Sequence, residues 1–310
     1  MDDIFGNMQV AMKQLGYEAR TVSIVHLSEV QEAVGNLIRR GFVNEGLHRR
    51  WHFHLDTNKS LPEARTIIIA AMPSPLTRVW FKHKGIAYPA DIPPDHFGRR
   101  EKESRAREAL SGALRTAGYK IAQAHLALKT LAVRSGLAAY GRNNIAYVSG
   151  MGSLCMLVAF YTDWPCEEDN WQELKAMEAC DTCSLCHENC PTGSIPTDRF
   201  LIRAENCLGS LQEMKPDFPC WVGLQPGWHN ALTGCMACQF VCPMNKPYLQ
   251  RIVSGPVFSE DETSQILNGT SWEGLSPETR LRLELPPGIY PFLARNLGAL
   301  IEKQRGPTQR

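Results

Sequence analysis

The chain has 310 residues, 44% of them hydrophobic, and its 33 Lys and Arg against 32 Asp and Glu leave a formal charge of +1. A chain of this length buries a sizeable core in more than one domain, and its balanced charge supplies no whole-molecule field for nucleic acid or an acidic membrane. No apolar run approaches the ~20 residues of a membrane-spanning helix, and the acidic start at Asp2 and Asp3 is unlike a signal peptide. The expected location is cytoplasmic, away from membranes.

The first residues place Phe5, Met8, Met12 and Leu15 near one face of an amphipathic helix. The stretch HLSEVQEAVGNLIRRG predicts a second helix that starts at Ser28, with Gln31 completing a capping box. It carries Val30, Val34, Leu37 and Ile38 on one face and stops at Gly41. HRRWHFH, at 48–54, interleaves basic and aromatic residues, a pattern that suits stacked bases, the cover of a cofactor or plain surface. Thr66 to Met72 reads as a buried strand ended by Pro-Ser-Pro, 99–117 as a charged helix with a solvated face, and 121–134 as a further helix. NIAYVSGMGSLCMLVAFYTDW reads as two strands around Gly150-Met151-Gly152, without the strand, turn and helix context of a dinucleotide fingerprint. There is no internal repeat and no low-complexity linker.

The chain has eleven cysteines, none before Cys155. In a reducing compartment such clustering points to metal ligands rather than disulfides. Cys180, Cys183, Cys186 and Cys190, followed by Pro191, have the spacing of the run in bacterial two-cluster ferredoxins, where the fourth cysteine serves the other [4Fe-4S] cube. Cys235, Cys238 and Cys242, followed by Pro243, form a second run one ligand short, and Cys207 is the best placed remote ligand. The expected sets are Cys180, Cys183, Cys186 and Cys242 for cluster one, and Cys190, Cys207, Cys235 and Cys238 for cluster two. A pair of structural zinc sites is the plainer alternative. Cys155, Cys166 and Cys220 remain as buried structural thiols.

LAVRSGLAAYGRNN at 131–144, the following GSLCMLVAFYTDW and the eight-cysteine arrangement together resemble the cobalamin-dependent iron-sulfur reductases typified by epoxyqueuosine reductase. LPEART before the first buried strand and LARNLGALIEK near the C-terminus add to the likeness. The resemblance implies an α+β fold with a mixed-sheet cobalamin-binding domain at 1–165, a ferredoxin-like domain with two [4Fe-4S] clusters at 166–250, and a short helical tail at 251–310. It implies that Gly141, Arg142, Asn143, Ala146 and Ser153 lie along the corrin, and that Met236, beside Cys235, faces the ring.

The departures bear on the substrate. The family's catalytic aspartate falls on Ala122, so a general acid has to come from elsewhere. His125, three residues on and expected on the same helix face, and Tyr140 are the candidates, with Tyr147 a further tyrosine nearby. Arg142 replaces the family's lysine and Tyr140 its tryptophan. The expected function is therefore a reductase in which electrons pass from two clusters to a corrinoid cobalt that reduces a small molecule or another cofactor. The alternatives are an epoxyqueuosine reductase acting on tRNA, and an electron-transfer protein or reductive activator of a corrinoid partner. The expected partner is a low-potential electron donor such as ferredoxin or flavodoxin, and the missing aspartate with the near-neutral charge sets tRNA aside.

Overall fold

The computed structural model describes residues 3–44, 46–47, 60–94, 96–213 and 225–305. The chain divides into two compact units, Met1–Ser74 with Arg99–Ser184, and Pro75–Gly98 with Leu185–Arg310.

In the first unit, Thr66–Pro73 (β2) and Cys155–Thr162 (β8) are apolar, β-rich runs buried along nearly their whole length. They pair antiparallel, Ile68 opposite Phe160. Glu18–Ser23 (β1) adds to β2 and Ile121–Ala124 (β5) to β8, giving an antiparallel sheet of order β1-β2-β8-β5. Side chains alternate across a strand, and here both faces are covered. Ile68, Ala70, Met72, Met156, Val158 and Phe160 meet the helices Ile4–Gln14 (α1) and Arg99–Thr116 (α3), through Met8, Met12, Leu110 and Leu114. Ile67, Ile69, Leu157, Ala159 and Tyr161 face Val30 of Leu27–Arg39 (α2), Leu131 and Val133 of Leu128–Arg134 (α4), and the ribbon Ala138–Tyr140 (β6) with Ala146–Val148 (β7).

The second unit holds a sheet of order β4-β3-β9, built from Leu76–His83 (β3), Ile86–Ile92 (β4) and Ile252–Phe258 (β9). Lys84 and Gly85 join β3 to β4 at φ 53° and 77°, the left-handed pair that a two-residue hairpin turn requires. β9 runs parallel to β3, and Phe81 stacks on Phe258 with ring centroids 4.8 Å apart. Four short helices lie within or just after the cysteine-bearing stretches, Leu185–Glu188 (α5), Leu208–Gln212 (α6), Ala237–Phe240 (α7) and Lys246–Leu249 (α8). Glu260–Leu267 (α9), Pro277–Leu283 (α10) and Leu293–Arg305 (α11) bury Ile266, Leu283, Leu293, Leu297 and Ile301 in the core of this unit.

Several expectations change. The sheet of the first unit is wholly antiparallel rather than mixed; the parallel pair lies in the second unit. The division at 1–165, 166–250 and 251–310 gives way to two units, because residues 75–98 and the C-terminal stretch share one sheet and one core. Residues 121–134 split into β5 and α4, since the open edge of β8 offers backbone partners that outweigh local helix propensity. Ser28 is inside α2, its hydroxyl donating to Val25 O, because a 3-10 turn at Ile24–His26, capped by Ser23, already leads into the helix. The two strands expected around Gly150-Met151-Gly152 are present as β7 and β8, β7 pairing with β6 and β8 with β2 and β5. Among the described residues no helix is long and apolar enough to cross a membrane.

Two positions test this packing. A Cβ at Gly255 in β9 would stand 2.8 Å from Thr77 Cγ2, 2.8 Å from Val79 Cγ1 and 3.2 Å from Arg78 O. Gly255→Val is expected to destabilise the protein by about 1–3 kcal/mol through overpacking, read from denaturant unfolding; a variant as stable as the parent would count against the seating of β9 on β3. Glu262 forms a capping box with Ser259, accepts the Thr279 hydroxyl at 2.6 Å and pairs with Arg282. Burial opposes its ionisation, but the Ser259 N–H, the Thr279 hydroxyl and the Arg282 guanidinium hold the carboxyl down at about 2. A depressed carboxylate contributes stability above its unfolded value of 4.5 and loses it as pH falls towards 2. Glu262→Ala is expected to be less stable by about 2 kcal/mol at pH 7, with the gap closing below pH 4.5. Thermal unfolding of both proteins across pH reads this out, and a gap that stays constant would count against it.

Candidate metal centre

The two cysteine runs fold alike. Cys186 lies on α5 and Cys238 on α7, and these two helices pack against each other. Each helix is a single turn, soon followed by Cys190-Pro191 or Cys242-Pro243, where proline cannot continue a helix. Cys207 stands at the N-cap of α6 in extended backbone. A Cβ added at Gly209 would lie 3.7 Å from Cys207 Sγ and 3.5 Å from the backbone N of Cys235, so these two ligand candidates adjoin the same point. The charges of Cys207 and Cys190 both act on Cys235. Cys190, Cys207 and Cys235 are thus near one another in the second unit.

Hydrogen-bond donors surround these sulfurs. Cys190 Sγ accepts the Ser194 N–H at 3.3 Å, with the Ser194 hydroxyl at 3.2 Å and the Thr192 hydroxyl at 3.7 Å. Burial alone would push the Cys190 thiol up, but these donors bring it below its ordinary value. Burial pushes the Cys235 thiol up, with the neighbouring Cys207 and Cys190 charges adding to it, against the Asn230 amide that donates to Cys235 Sγ at 3.2 Å. In the first unit the backbone N–H of Arg142 points at Cys180 Sγ, 3.4 Å away, and its guanidinium donates to Cys180 O at 2.7 Å.

Partly buried thiols met by amide and hydroxyl donors fit a [4Fe-4S] cluster, whose potential depends on such bonds. Among the described residues no group of three or more His, Cys, Asp or Glu side chains stands placed to hold a single metal ion. The unit boundary after Ser184 leaves Cys180 and Cys183 in the first unit and Cys186 and Cys242 in the second, so the set for cluster one stands on spacing. His187, inside the first run, is engaged through Nδ1 with Ile195 O at 2.5 Å. Burial pushes the Cys166 thiol up to about 11, which suits an inert structural cysteine. Cys155 lies in β8. Cys220 and the HRRWHFH stretch lie outside the described residues.

The other candidates are placed differently. Ala122 sits in β5 opposite Tyr161, and His125 follows the strand as an exposed residue, so the shared helix face is absent. Tyr140 is 7% exposed, its hydroxyl 3.2 Å from Thr130 Oγ1, and burial raises its pKa. Asn143, Ala146 and Ser153 are buried, and Asn143 Nδ2 donates to the Tyr147 hydroxyl at 3.0 Å. A Cβ at Gly141 would stand 2.6 Å from both Asn143 Oδ1 and Tyr147 Cε2, and 3.3 Å from Met177 Cε. That space belongs to the segment's own side chains. Met236 is fully buried in the second unit, its thioether accepting from Gln239 Nε2 at 3.1 Å. Only Arg142 Nε of this group is buried without a partner. Gly141, Arg142, Asn143, Ala146 and Ser153 lie in the first unit and Met236 in the second. Ser194, Thr192 and Asn230 were not among the sequence candidates, although Thr192 and Ser194 stand in the turn just past Cys190-Pro191.

Residues 179–245 match the 4Fe-4S double cluster binding domain. Over 229 residues the chain is 28% identical to the epoxyqueuosine reductase of Bacillus subtilis, a match that takes in 70% of this chain and 55% of that protein. The chain therefore spans about half the length of that curated relative. The structure of epoxyqueuosine reductase from Streptococcus thermophilus superposes with a TM-score of 0.65 at 18% identity, over 99% of this chain and 83% of that one. An epoxyqueuosine reductase solved with an epoxyqueuosine-modified tRNA-Tyr stem loop superposes with a TM-score of 0.58 at 18% identity, over 99% and 84%. That complex overturns the expectation that sets tRNA aside, because local contacts to a stem loop need no whole-molecule positive charge. The chain thus carries a 4Fe-4S double cluster binding domain and has the α+β fold of the epoxyqueuosine reductases.

Proposed function

We propose that the chain is an iron-sulfur oxidoreductase of the epoxyqueuosine reductase kind, reducing an epoxide on a modified nucleoside in tRNA. The gathering of Cys190, Cys207 and Cys235 among hydrogen-bond donors, inside the segment that matches the double cluster domain, carries this reading. Cys180, Cys183, Cys186 and Cys242 would hold one cluster, and Cys190, Cys207, Cys235 and Cys238 the other. Such clusters supply electrons one at a time at low potential. Removing an epoxide oxygen as water takes two electrons and two protons, so the protein has protons to deliver as well. Ala122 carries none. His125 is exposed just past the end of β5 and carries an imidazole, a side chain able to act as a general acid. Tyr140 is the weaker donor, since its hydroxyl is buried beside Thr130 and its pKa is raised. The relatives favour the tRNA substrate over a small molecule reduced at a corrinoid cobalt.

Protein reconstituted anaerobically with iron and sulfide is expected to hold about eight of each per chain; zinc without labile sulfide would replace the reading with structural zinc sites. Cys207→Ala is expected to lose about half the iron and leave one cluster in place, whereas full iron content would remove Cys207 from the ligand set. With dithionite and tRNA carrying epoxyqueuosine, loaded protein is expected to form the reduced nucleoside over several turnovers, read by nucleoside mass spectrometry. His125→Ala is expected to slow this by about 10²-fold, and Ala122→Asp to accelerate it. No product from protein with both clusters intact would sink the tRNA proposal.

A further inference from the structure

We propose that Asn230 is a positioning residue of cluster two, fixing the loop around Cys235 and setting the reduction potential of the cluster that Cys235 would bind. This inference rests on the iron-sulfur assignment of the second unit's cysteines. The Asn230 amide is used at both ends. Nδ2 donates to Cys235 Sγ at 3.2 Å and to Trp228 O at 3.2 Å, while Oδ1 accepts the Met236 N–H at 2.7 Å. An amide nitrogen has two protons and the oxygen only lone pairs. Turning the amide over would set Oδ1 against the thiolate and the carbonyl of Trp228, and the NH₂ against the N–H of Met236. The three partners therefore dictate one orientation, with the N–H directed at sulfur.

The surroundings hold that side chain in place. Lys303 Nζ of α11 donates to His229 O at 2.7 Å, and Leu232 N donates to Asp91 O of β4 at 2.8 Å, so the Asn230 loop is pinned on both sides. Asn230 also lines a cleft of about 260 Å³, together with Arg78, Asp91, His229, Lys303 and Gln304. It thus stands between that cleft and Cys235. A reduced cluster carries one more negative charge than an oxidised one, and an N–H directed at a ligand sulfur favours the more negative state. Loss of this donor is expected to lower the potential of cluster two and leave cluster one unmoved. A negatively charged side chain at the same place acts in the same direction.

The test uses the reconstituted full chain. Iron and sulfide content of the unmodified protein checks the iron-sulfur assignment first, and a failure at that stage is distinguishable from a failure of the role given to Asn230. Redox titration followed by electron paramagnetic resonance then gives both midpoints, with Cys207→Ala assigning which signal is cluster two. Asn230→Leu removes all three bonds; Asn230→Asp keeps the acceptor for Met236 N and removes the two donated bonds. Both are expected to shift the oxidised-to-reduced equilibrium of cluster two by about tenfold towards oxidised, which is ~59 mV for one electron. Selective loss of cluster two would likewise support the role. Unchanged midpoints, or equal shifts or losses in both clusters, would overturn it.

Discussion

Thiolates brought close together repel one another, and the second unit is built around tolerating that. Burial raises the pKa of Cys235 and the nearby Cys207 and Cys190 charges add to it, so a positive partner beside Cys235 favours its thiolate. A metal cluster supplies that partner, and its binding free energy then becomes part of the folding free energy. The protein's share is to deliver the sulfurs on short, proline-ended turns and to aim N–H and O–H groups at them. Ser194 and Thr192 do this for Cys190, and Asn230 does it for Cys235.

The first unit meets a similar demand with different means. Its sheet is covered on both faces, so the strand register is determined by apolar side chains on either side. The segment leading to Cys180 is then fastened to that unit by its backbone. Gln172 N donates to Arg134 O at 2.7 Å, Tyr140 N to Lys175 O at 2.8 Å, and Met177 N to Tyr140 O at 2.8 Å. Trp171 stacks on His26 with ring centroids 4.4 Å apart, and the Arg134 guanidinium lies 4.6 Å from the Trp171 ring centroid. His26 in turn bonds Glu29 at 2.7 Å and Asp169 at 2.8 Å. Individual exposed ion pairs contribute little, but the backbone bonds leave the chain one path to Cys180. The same bonds explain why Gly141 has no room for a side chain: the ribbon and the strap close over each other at Asn143, Tyr147 and Met177.

Legibility differed from place to place for physical reasons. The buried strand from Thr66 and the helix carrying Met8 and Met12 were readable because period and burial agree there. The stretch at 121–134 misleads because a strand edge supplied from residues 155–162 captures Ile121–Ala124, and that edge has no trace in the local sequence. The Ser28 capping signal is sound locally, yet the preceding turn has already begun the helix. The expected helical tail hides β9, whose Gly255 makes sense only against Thr77 and Val79.

The sequence by itself determined the metal chemistry. Cysteine spacing restricts which thiols can sit on one short turn, and proline after the last cysteine ends that turn, so the ligand type is a local fact. It also carried the absence of a carboxylate at Ala122. The tertiary structure alone decided which groups answer the sulfurs, since Asn230 is held by a loop that Lys303 and Asp91 anchor from distant parts of the chain. It alone decided that Ala122 and His125 share no helix face, and that residues 75–98 join the C-terminal stretch in one core. Those outcomes depend on pairings between residues far apart in the chain, where local propensity is weaker than the burial and backbone bonds gained by joining a distant edge.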